Sequence, residues 1–406
     1  MKFTCEKNAL VSAISVASRT VAQKSTIPAL EGIYIRAGVK LTLSGYNLET
    51  GITISVDAEI QQTGACIMPS RLFFDIIRKL PGDTVSISVD EKFKVSIRGG
   101  ISSFSITAMS SEDYPELPEV ESDKGISLPQ NELKAMIGGT SFAVSENQAR
   151  PIHTGCLFEV EDSSITVVAV DGYRLALRRW KSEEPIGRTL KFVVPAAALK
   201  EAEKILDDTD EACTFFLGSK HILFNIGEAT LVCRLLEGEF LDWRRVLPQN
   251  QPVKLAVNVA KMTDSIERVG LIISEKLKSP VRCKFGENTA DFRSVSTIGE
   301  AHDVCQIAGD GQDMEIGFNC RYLLDALRAI PDAECSLELI NGLSPIVMNP
   351  CDGSEKYSYM VLPIRLKAGE QYEGPRDKKA RRGHHRYPYP YGIHQIAGFS
   401  EVRQRH

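Results

Sequence analysis

The chain repeats itself three times over its first 366 residues, and a fixed internal period constrains architecture before any motif is read. An amphipathic helix is predicted with apolar residues at Leu10, Ile14, Ala17 and Val21. A second begins at Leu133 with Met136 and Ile137, and a third runs Met262, Ile266, Val269, Ile273. A proline stands 18 residues after each leading residue, at Pro28, Pro151 and Pro280. A second helix family recurs as PSRLFFDIIRKLP, PAAALKEAEKIL and NCRYLLDALRAIP, led by Leu72, Leu199 and Leu323, which lie 127 and 124 residues apart. That period is the size of a whole domain, and 406 residues are too many for one core.

Within each repeat a short strand is expected to enter the first helix, at Phe3–Glu6, Ile126–Leu128 and Lys254–Val257. Period-two alternation follows, as in GIYIRAGVKLTLSGYNLETGITISV, and marks extended segments. After the second helix come three strands: VSISV, FKVSI and FSITA, then CTFFL, ILFNI and LVCRLL, then CSLEL, PIVM and YSYMVL. The expectation is an α+β chain of three tandem domains, each with two helices packed on one face of antiparallel-rich sheets. Pro- and charge-rich linkers at 111–124 and 244–253 suggest boundaries at 1–122, 125–247 and 252–366.

The formal net charge of −5 hides an asymmetry. Residues 367–406 hold nine Lys/Arg and four Asp/Glu, which leaves −10 on the repeats. An acidic body attracts nucleic acid poorly, so any DNA contact needs cations focused on one face. No two of the ten cysteines lie closer than 15 residues, so metal-site spacing is absent and reduced cytosolic thiols are expected. No apolar run nears the ~20 residues of a membrane span, and the opening MKFTCEKNAL lacks a signal-peptide stretch. There is no GxxxxGK, no GxGxxG opening a helix, no HExxH and no GxSxG, and His153, His221 and His302 are scattered. No catalytic residue, metal or cofactor is expected.

The segment AVDGYRLALRR (169–179) matches LSGYNLETGI of the first repeat as a strand–turn–strand, yet it carries Tyr173, Arg174, Arg178 and Arg179. With EFLDWRRVLP (239–248) and the terminal VLPIRL it makes an apolar lining edged by arginine. That combination suits capture of an extended peptide; plain interdomain packing is the alternative. The helices carry a second pattern: Arg71, Arg78 and Lys79, then Lys200 and Lys204, then Lys261 and Arg268, then Arg321 and Arg328. Lys24 and Arg150 flank the repeated proline turn. Interspersed Asp75, Glu201, Glu203, Asp264, Glu267 and Asp325 also fit an ordinary solvated face. Cations on equivalent helices favour a shared surface that holds phosphates without reading sequence.

Several segments together resemble one family: MKFTCEKNAL, the STIPALEGI turn, LFFDIIRKLPGD, DYPELP, VDGYRLA, FLDWRRVLP, EIGFN followed by YLLDAL, and VLPIRL. In order and spacing over residues 1–366 they resemble the β sliding clamps of bacterial DNA polymerase III. The resemblance implies a head-to-tail homodimer, closed as a six-domain ring with helices inside and sheets outside, around double-stranded DNA. It implies a non-catalytic, cytoplasmic processivity factor without membrane attachment, an accessory subunit of a DNA-directed DNA polymerase (a nucleotidyltransferase complex). The implied partners are the polymerase III alpha subunit, the clamp loader, and other replication and repair proteins that dock through short apolar peptide motifs. Tethering would raise effective concentration rather than assist chemistry.

Carried over residue by residue, the family's peptide pocket falls on Val170, Gly172, Arg174, Leu175, Arg245, Val246, Met360, Leu362 and Ile364. Tyr173 stands where the family often has histidine, Leu241 where it often has proline, and His153 where it is often apolar. These departures imply altered peptide preference. Lys24, Asn147, Gln148 and Arg150 are implied DNA-facing residues. The ring interface would join Phe104 and Ile106 to Ile272 and Ile273. Only Glu300 and Asp303 remain of an acidic cluster there, and cations are sparse around Phe104, so apolar burial is expected to carry the seam. The family usually stops at the equivalent of Leu366. The basic segment 367–406 reads as a disordered tail, either an inert chain-end appendage or one that covers the pocket or adds DNA affinity. A repeat-built peptide scaffold that does not circle DNA is the alternative function. An enzyme fits poorly, because the repeats offer no asymmetric acid, base or metal cluster.

Overall fold

The computed structural model describes residues 1–120, 124–273 and 279–366, and the tail 367–406 lies outside them. The first domain runs β1 (Lys2–Glu6), α1 (Lys7–Ala17), β2 (Gly32–Ala37), β3 (Leu41–Tyr46), β4 (Thr50–Val56), β5 (Ala58–Gln62), β6 (Gly64–Pro69), α2 (Ser70–Lys79), β7 (Thr84–Val89), β8 (Lys94–Gly99) and β9 (Ser102–Thr107). The second runs β10 (Ile126–Pro129), α3 (Gln130–Gly138), β11 (Gly155–Glu161), β12 (Ser164–Val170), β13 (Arg174–Lys181), β14 (Leu190–Pro195), α4 (Ala196–Glu203), β15 (Ala212–Leu217), β16 (His221–Ile226) and β17 (Ala229–Arg234). The third runs β18 (Val253–Asn258), α5 (Val259–Gly270), β19 (Val281–Ser296), β20 (Gly299–Phe318), α6 (Cys320–Arg328), β21 (Glu334–Leu339), β22 (Ile346–Pro350) and β23 (Tyr357–Val361).

Side-chain caps start three of the helices. Glu6 Oε1 and Oε2 accept from the amides of Asn8 (2.9 Å) and Ala9 (2.5 Å), Asn258 Oδ1 from Lys261 (3.0 Å), and Asn319 Oδ1 from Arg321 (3.0 Å). The expected apolar stripes face inward, with Leu10, Ile14 and Ala17 on α1, Leu133, Met136 and Ile137 on α3, and Met262, Ile266 and Val269 on α5 all buried. Two positions need correction. Val21 lies beyond α1 and a 3-10 turn (Ser18–Thr20), and Ile273 lies beyond α5, which ends at Gly270. Both still pack on their cores, so the period continues after the helix has stopped. Leu72 is also displaced as leader of its family: it is half exposed, while Phe73 occupies the buried fourth position that Leu199 and Leu323 hold in α4 and α6.

All described strand pairs are antiparallel, and two of the three sheets cross a domain boundary. The five-stranded sheet β5-β1-β7-β8-β9 stays in the first domain. The eight-stranded sheet runs β10-β15-β16-β17-β4-β3-β2-β6, and the ten-stranded one β14-β11-β12-β13-β23-β22-β21-β18-β20-β19. At each joint the last strand of one domain is hydrogen-bonded to the fourth or its equivalent in the preceding one: β17 to β4, and β23 to β13. The helices pack in pairs, α1 with α2, α3 with α4 and α5 with α6. One core fills the first domain, and a second is continuous through the other two, taking Ile52 across the joint. All ten cysteines are free and eight are buried; burial pushes the Cys156 thiol up to about 12. No described helix is long and apolar enough to cross a membrane.

Candidate functional site

A separate apolar cluster lies between the second and third domains. It joins buried Leu157, Val168, Val170, Leu175, Leu177 and Val193 to Val347 and Met360, and closes under Phe240 and Trp243. Leu241, Val246 and Leu362 are half-buried against it. Six expected pocket residues therefore meet here: Val170, Leu175, Leu241, Val246, Met360 and Leu362. Two others do not line it. Arg245 has an 87%-exposed side chain paired with Asp242 at 3.0 Å, so it sits on the rim. Ile364 donates its amide to the Gly317 carbonyl at 2.7 Å and is absent from the cluster, because the terminal segment turns there to the end of β20.

The turn between β12 and β13 forms one wall. Gly172 takes φ +94°, a left-handed conformation that glycine adopts at little cost. Asp171 Oδ1 accepts from the amides of Tyr173 (2.9 Å) and Arg174 (3.1 Å). Burial raises the Asp171 carboxyl above its usual range, against the opposing pull of those amides and the Arg174 guanidinium. Tyr173 is half exposed and its amide-bonded carbonyl takes the Leu362 N–H at 2.8 Å, which ties the terminal strand to the turn. Arg174 is buried, with Nε 2.9 Å from Asp171 Oδ2, Nη1 2.6 Å from Asp325 Oδ2 on α6, and Nη2 2.6 Å from the Phe142 carbonyl.

The opposite wall is the stretch expected to be a linker, and it is packed rather than loose. Trp243 is buried, its Nε1 donating to Glu159 Oε2 on β11 at 3.1 Å. Arg244 donates to the same oxygen at 2.8 Å and lies 4.3 Å over the indole. His153, in the short turn Pro151–Thr154, meets Phe240 edge-on at 5.0 Å between centroids. Its buried Nδ1 has no hydrogen-bond partner among the described residues. Burial, then the charge of Arg150, holds this imidazole below its usual value. Leu177, Phe240 and Trp243 fall within the segments AVDGYRLALRR and EFLDWRRVLP expected to form the lining, whereas Leu157 and Val347 lie outside them, although strand alternation places Leu157 and Leu177 on one face.

The thirteen expected DNA-facing residues are all exposed: Lys24, Arg71, Arg78, Lys79, Asn147, Gln148, Arg150, Lys200, Lys204, Lys261, Arg268, Arg321 and Arg328. They differ in how much charge they present. Arg78 pairs with Asp75 (3.3 Å), Lys204 with Glu201 (2.7 Å), Arg328 with Glu267 (2.7 Å), and Arg268 with Asp303. Among the described residues Lys24, Arg71, Lys79, Arg150, Lys200 and Lys261 form no ion pair. Arg19, which belongs to none of the recurring cationic helix positions, reaches Glu201 on α4 across the first domain boundary at 3.5 Å.

Of the expected interface residues, Phe104 is 41% exposed on the edge strand β9, while Ile106 leans onto the first domain's core. Ile272 is half-buried and Ile273 packs inward, leaving Leu271 as the exposed apolar residue of that segment. Cations are not sparse beside Phe104: register puts Arg98 opposite Ser103 and Lys94 opposite Thr107. Both sit on the strand just before β9, and the hairpin register rather than sequence distance brings them beside it. Glu300 is exposed, whereas Asp303 is engaged by Arg268, whose hydrogen bond lowers its carboxyl pKa.

Three family models cover the chain in series: DNA polymerase III beta subunit, N-terminal domain, over residues 1–118, central domain over 127–242, and C-terminal domain over 244–365. A beta sliding clamp of Staphylococcus epidermidis is 32% identical over 90% of this chain and 99% of its own length. The crystal structure of a Bacillus subtilis DNA polymerase sliding clamp superposes with TM-score 0.86 at 30% identity, covering 90% of this chain and 100% of that one. A Pseudomonas aeruginosa sliding clamp bound to griselimycin matches with TM-score 0.85 at 28% identity over the same shares. The chain belongs to the DNA polymerase III beta subunits, the beta sliding clamps: ring-shaped, non-catalytic processivity factors of DNA replication.

Proposed function

We propose that this clamp works through three surfaces: a peptide pocket between its second and third domains, a cationic helix face toward the duplex, and a strand-to-strand seam between two copies. The observation that carries the reading is the recurring joint, in which a last strand is zippered to the preceding domain. Two such joints lie within the chain, and a ring of six domains needs the same joint at β9. The free counterpart is the first half of β20, since β18 meets β20 only at Ile307 and Ala308. Ser294 Oγ bonds the Val269 carbonyl where Gly45 abuts that of Ala17, which aligns Ala301, opposite Ser294, with Ile52, opposite Gly45. Phe104 would then stand opposite Ala301 of a second copy, and Ser105 opposite its Glu300.

The alpha subunit of polymerase III and other replication proteins would enter the pocket as apolar peptides, with a clamp loader opening the seam, in the cytoplasm. The six unpaired cations would touch phosphates loosely enough to slide. The domains implied are 1–122, 125–247 and 252–366. Griselimycin, bound by the Pseudomonas clamp, is a ready probe of the pocket: binding lost on Leu175→Asp would support it. Encirclement is tested by loading the protein on nicked circular DNA with a clamp loader and ATP, then linearising. Release from the ends is expected; retention would return the reading to a scaffold that does not circle DNA.

A further inference from the structure

An arginine on a pocket turn invites the reading that it greets the ligand. The guanidinium of Arg174 is otherwise engaged. Each of its nitrogens donates inward, to Asp171, Asp325 and the Phe142 carbonyl, and its Cζ lies 4.4 Å from the Tyr322 centroid and 5.4 Å from that of Phe142. The side chain is 8% exposed. Asp171 and Phe142 belong to the second domain, whereas Asp325 and Tyr322 sit on α6 of the third. Tyr173, next along the turn, stacks on the same Tyr322 at 6.1 Å.

We propose that Asp325 is a positioning residue of the peptide pocket, acting through Arg174 to lock the β12–β13 turn against the third domain. This rests on the pocket reading above. One half of the apolar lining, Val170 and Leu175, rides on that turn and its strands; the other half, Val347 and Met360, belongs to the third domain. The width of the groove is therefore set by how the turn seats on α6. With Asp325 removed, Asp171 still balances the charge of Arg174, but Nη1 is left buried without its acceptor, and the turn would shift to hydrate it.

The repeat supplies an independent argument. Counted from the buried fourth residue of each second helix, Asp325 corresponds to Glu201 on α4 and Asp75 on α2. Glu201 also reaches across a domain boundary, to Arg19 at 3.5 Å. Asp75 pairs with Arg78 of its own helix. The acid thus clasps both joints internal to the chain, and only the joint beside the pocket uses it on a buried arginine. At the first joint Thr50 replaces Arg174, although Asn47 keeps the same turn by accepting from the Glu49 and Thr50 amides at 3.0 and 2.8 Å.

The test uses the full chain and a fluorescein-labelled hexapeptide with adjacent Leu and Phe, read by anisotropy. Hydrogen exchange of the Leu362 amide, which donates to Tyr173, reports turn seating without any ligand. Asp325→Ala is expected to weaken the peptide at least tenfold and to speed Leu362 exchange at least tenfold; Asp325→Asn, which keeps an acceptor oxygen, recovers part of both. Glu355→Ala removes another ion pair across the same boundary, with Arg179, and is expected to leave both readouts within twofold. Unchanged exchange in Asp325→Ala, faster exchange with unchanged peptide affinity, or an equal loss in Glu355→Ala would each overturn the proposal. Should the wild-type chain ignore the peptide, the pocket reading falls, and Leu362 exchange still decides whether Asp325 holds the turn.

Discussion

Leu231 on β17 stands directly opposite Ile52 on β4, across the boundary between the first two domains. Tyr359 and Ala176 repeat the relationship between the second and third. If the seam between copies is built alike, its register is testable by charge. Ser105→Glu would set a carboxylate against Glu300 of the second copy and weaken the dimer. Directly opposed pairs are worth about 0.2–1 kcal/mol each and occur twice per ring, so the dimer constant should move several-fold. Adding Glu300→Lys should restore it. Sedimentation equilibrium gives the answer; a double variant no tighter than Ser105→Glu alone would rule out this register. Phe104→Asp should dissociate the ring outright.

Much of this architecture was legible because each repeat carries its own helix stripes and strand alternation. What was not legible lies between elements. Arg98 and Lys94 stand beside β9 only through β8, and Asp325 meets Arg174 across 151 residues. Pocket positions read from the motif VDGYRLA landed in the cluster where strand register carried them, as with Leu175. Ile364 and Arg245 did not, since a β-bridge and an exposed turn decide their directions.

The displaced helix leader offers a sharp contrast. Phe73 is fully buried and its neighbour Leu72 is 49% exposed, although the repeat alone pointed to Leu72. Phe73→Ala should cost ~3–5 kcal/mol of folding stability through lost burial and a cavity, and Leu72→Ala no more than about 0.5 kcal/mol. Urea unfolding of the two variants would reveal a reversed order if the helix were rotated by one residue.

Cations without carboxylate partners should dominate DNA contact. Lys200→Ala with Lys261→Ala should shallow the logarithmic salt dependence of binding to a linear duplex by up to about 1.8, at ~0.9 per phosphate contact. Arg328→Ala should change it less, because Glu267 already holds that guanidinium at 2.7 Å. Anisotropy titrations across salt concentrations would expose equal effects, which would mean that ion pairing does not sort these residues.

His153 makes stability depend on pH. Burial and Arg150 depress its imidazole, so the folded chain binds fewer protons there than the unfolded chain. Its contribution is complete above the unfolded value of about 6.5 and is lost as pH falls through the lower folded value. His153→Leu should flatten this loss between pH 7 and 5, when compared with wild type by urea unfolding. A wild-type profile already flat in that range would remove the group from the account.

The indole of Trp243 tests whether the second pocket wall is held by shape or by its hydrogen bond. Trp243→Phe keeps an aromatic plug but drops the Nε1 donor to Glu159 at 3.1 Å. Glu159 retains Arg244 at 2.8 Å and Lys191 at 3.4 Å, so no bare buried carboxylate results. A loss of about 1–2 kcal/mol is expected, near the lower end for hydrogen bonds to charged groups. Trp243→Ala removes the plug as well and should cost ~3–5 kcal/mol. Griselimycin affinity separates the two contributions: a wall held by shape keeps its ligand in Trp243→Phe and loses it in Trp243→Ala. Equal loss in both would assign the wall to the Glu159 bond, because that is the one feature the two substitutions share.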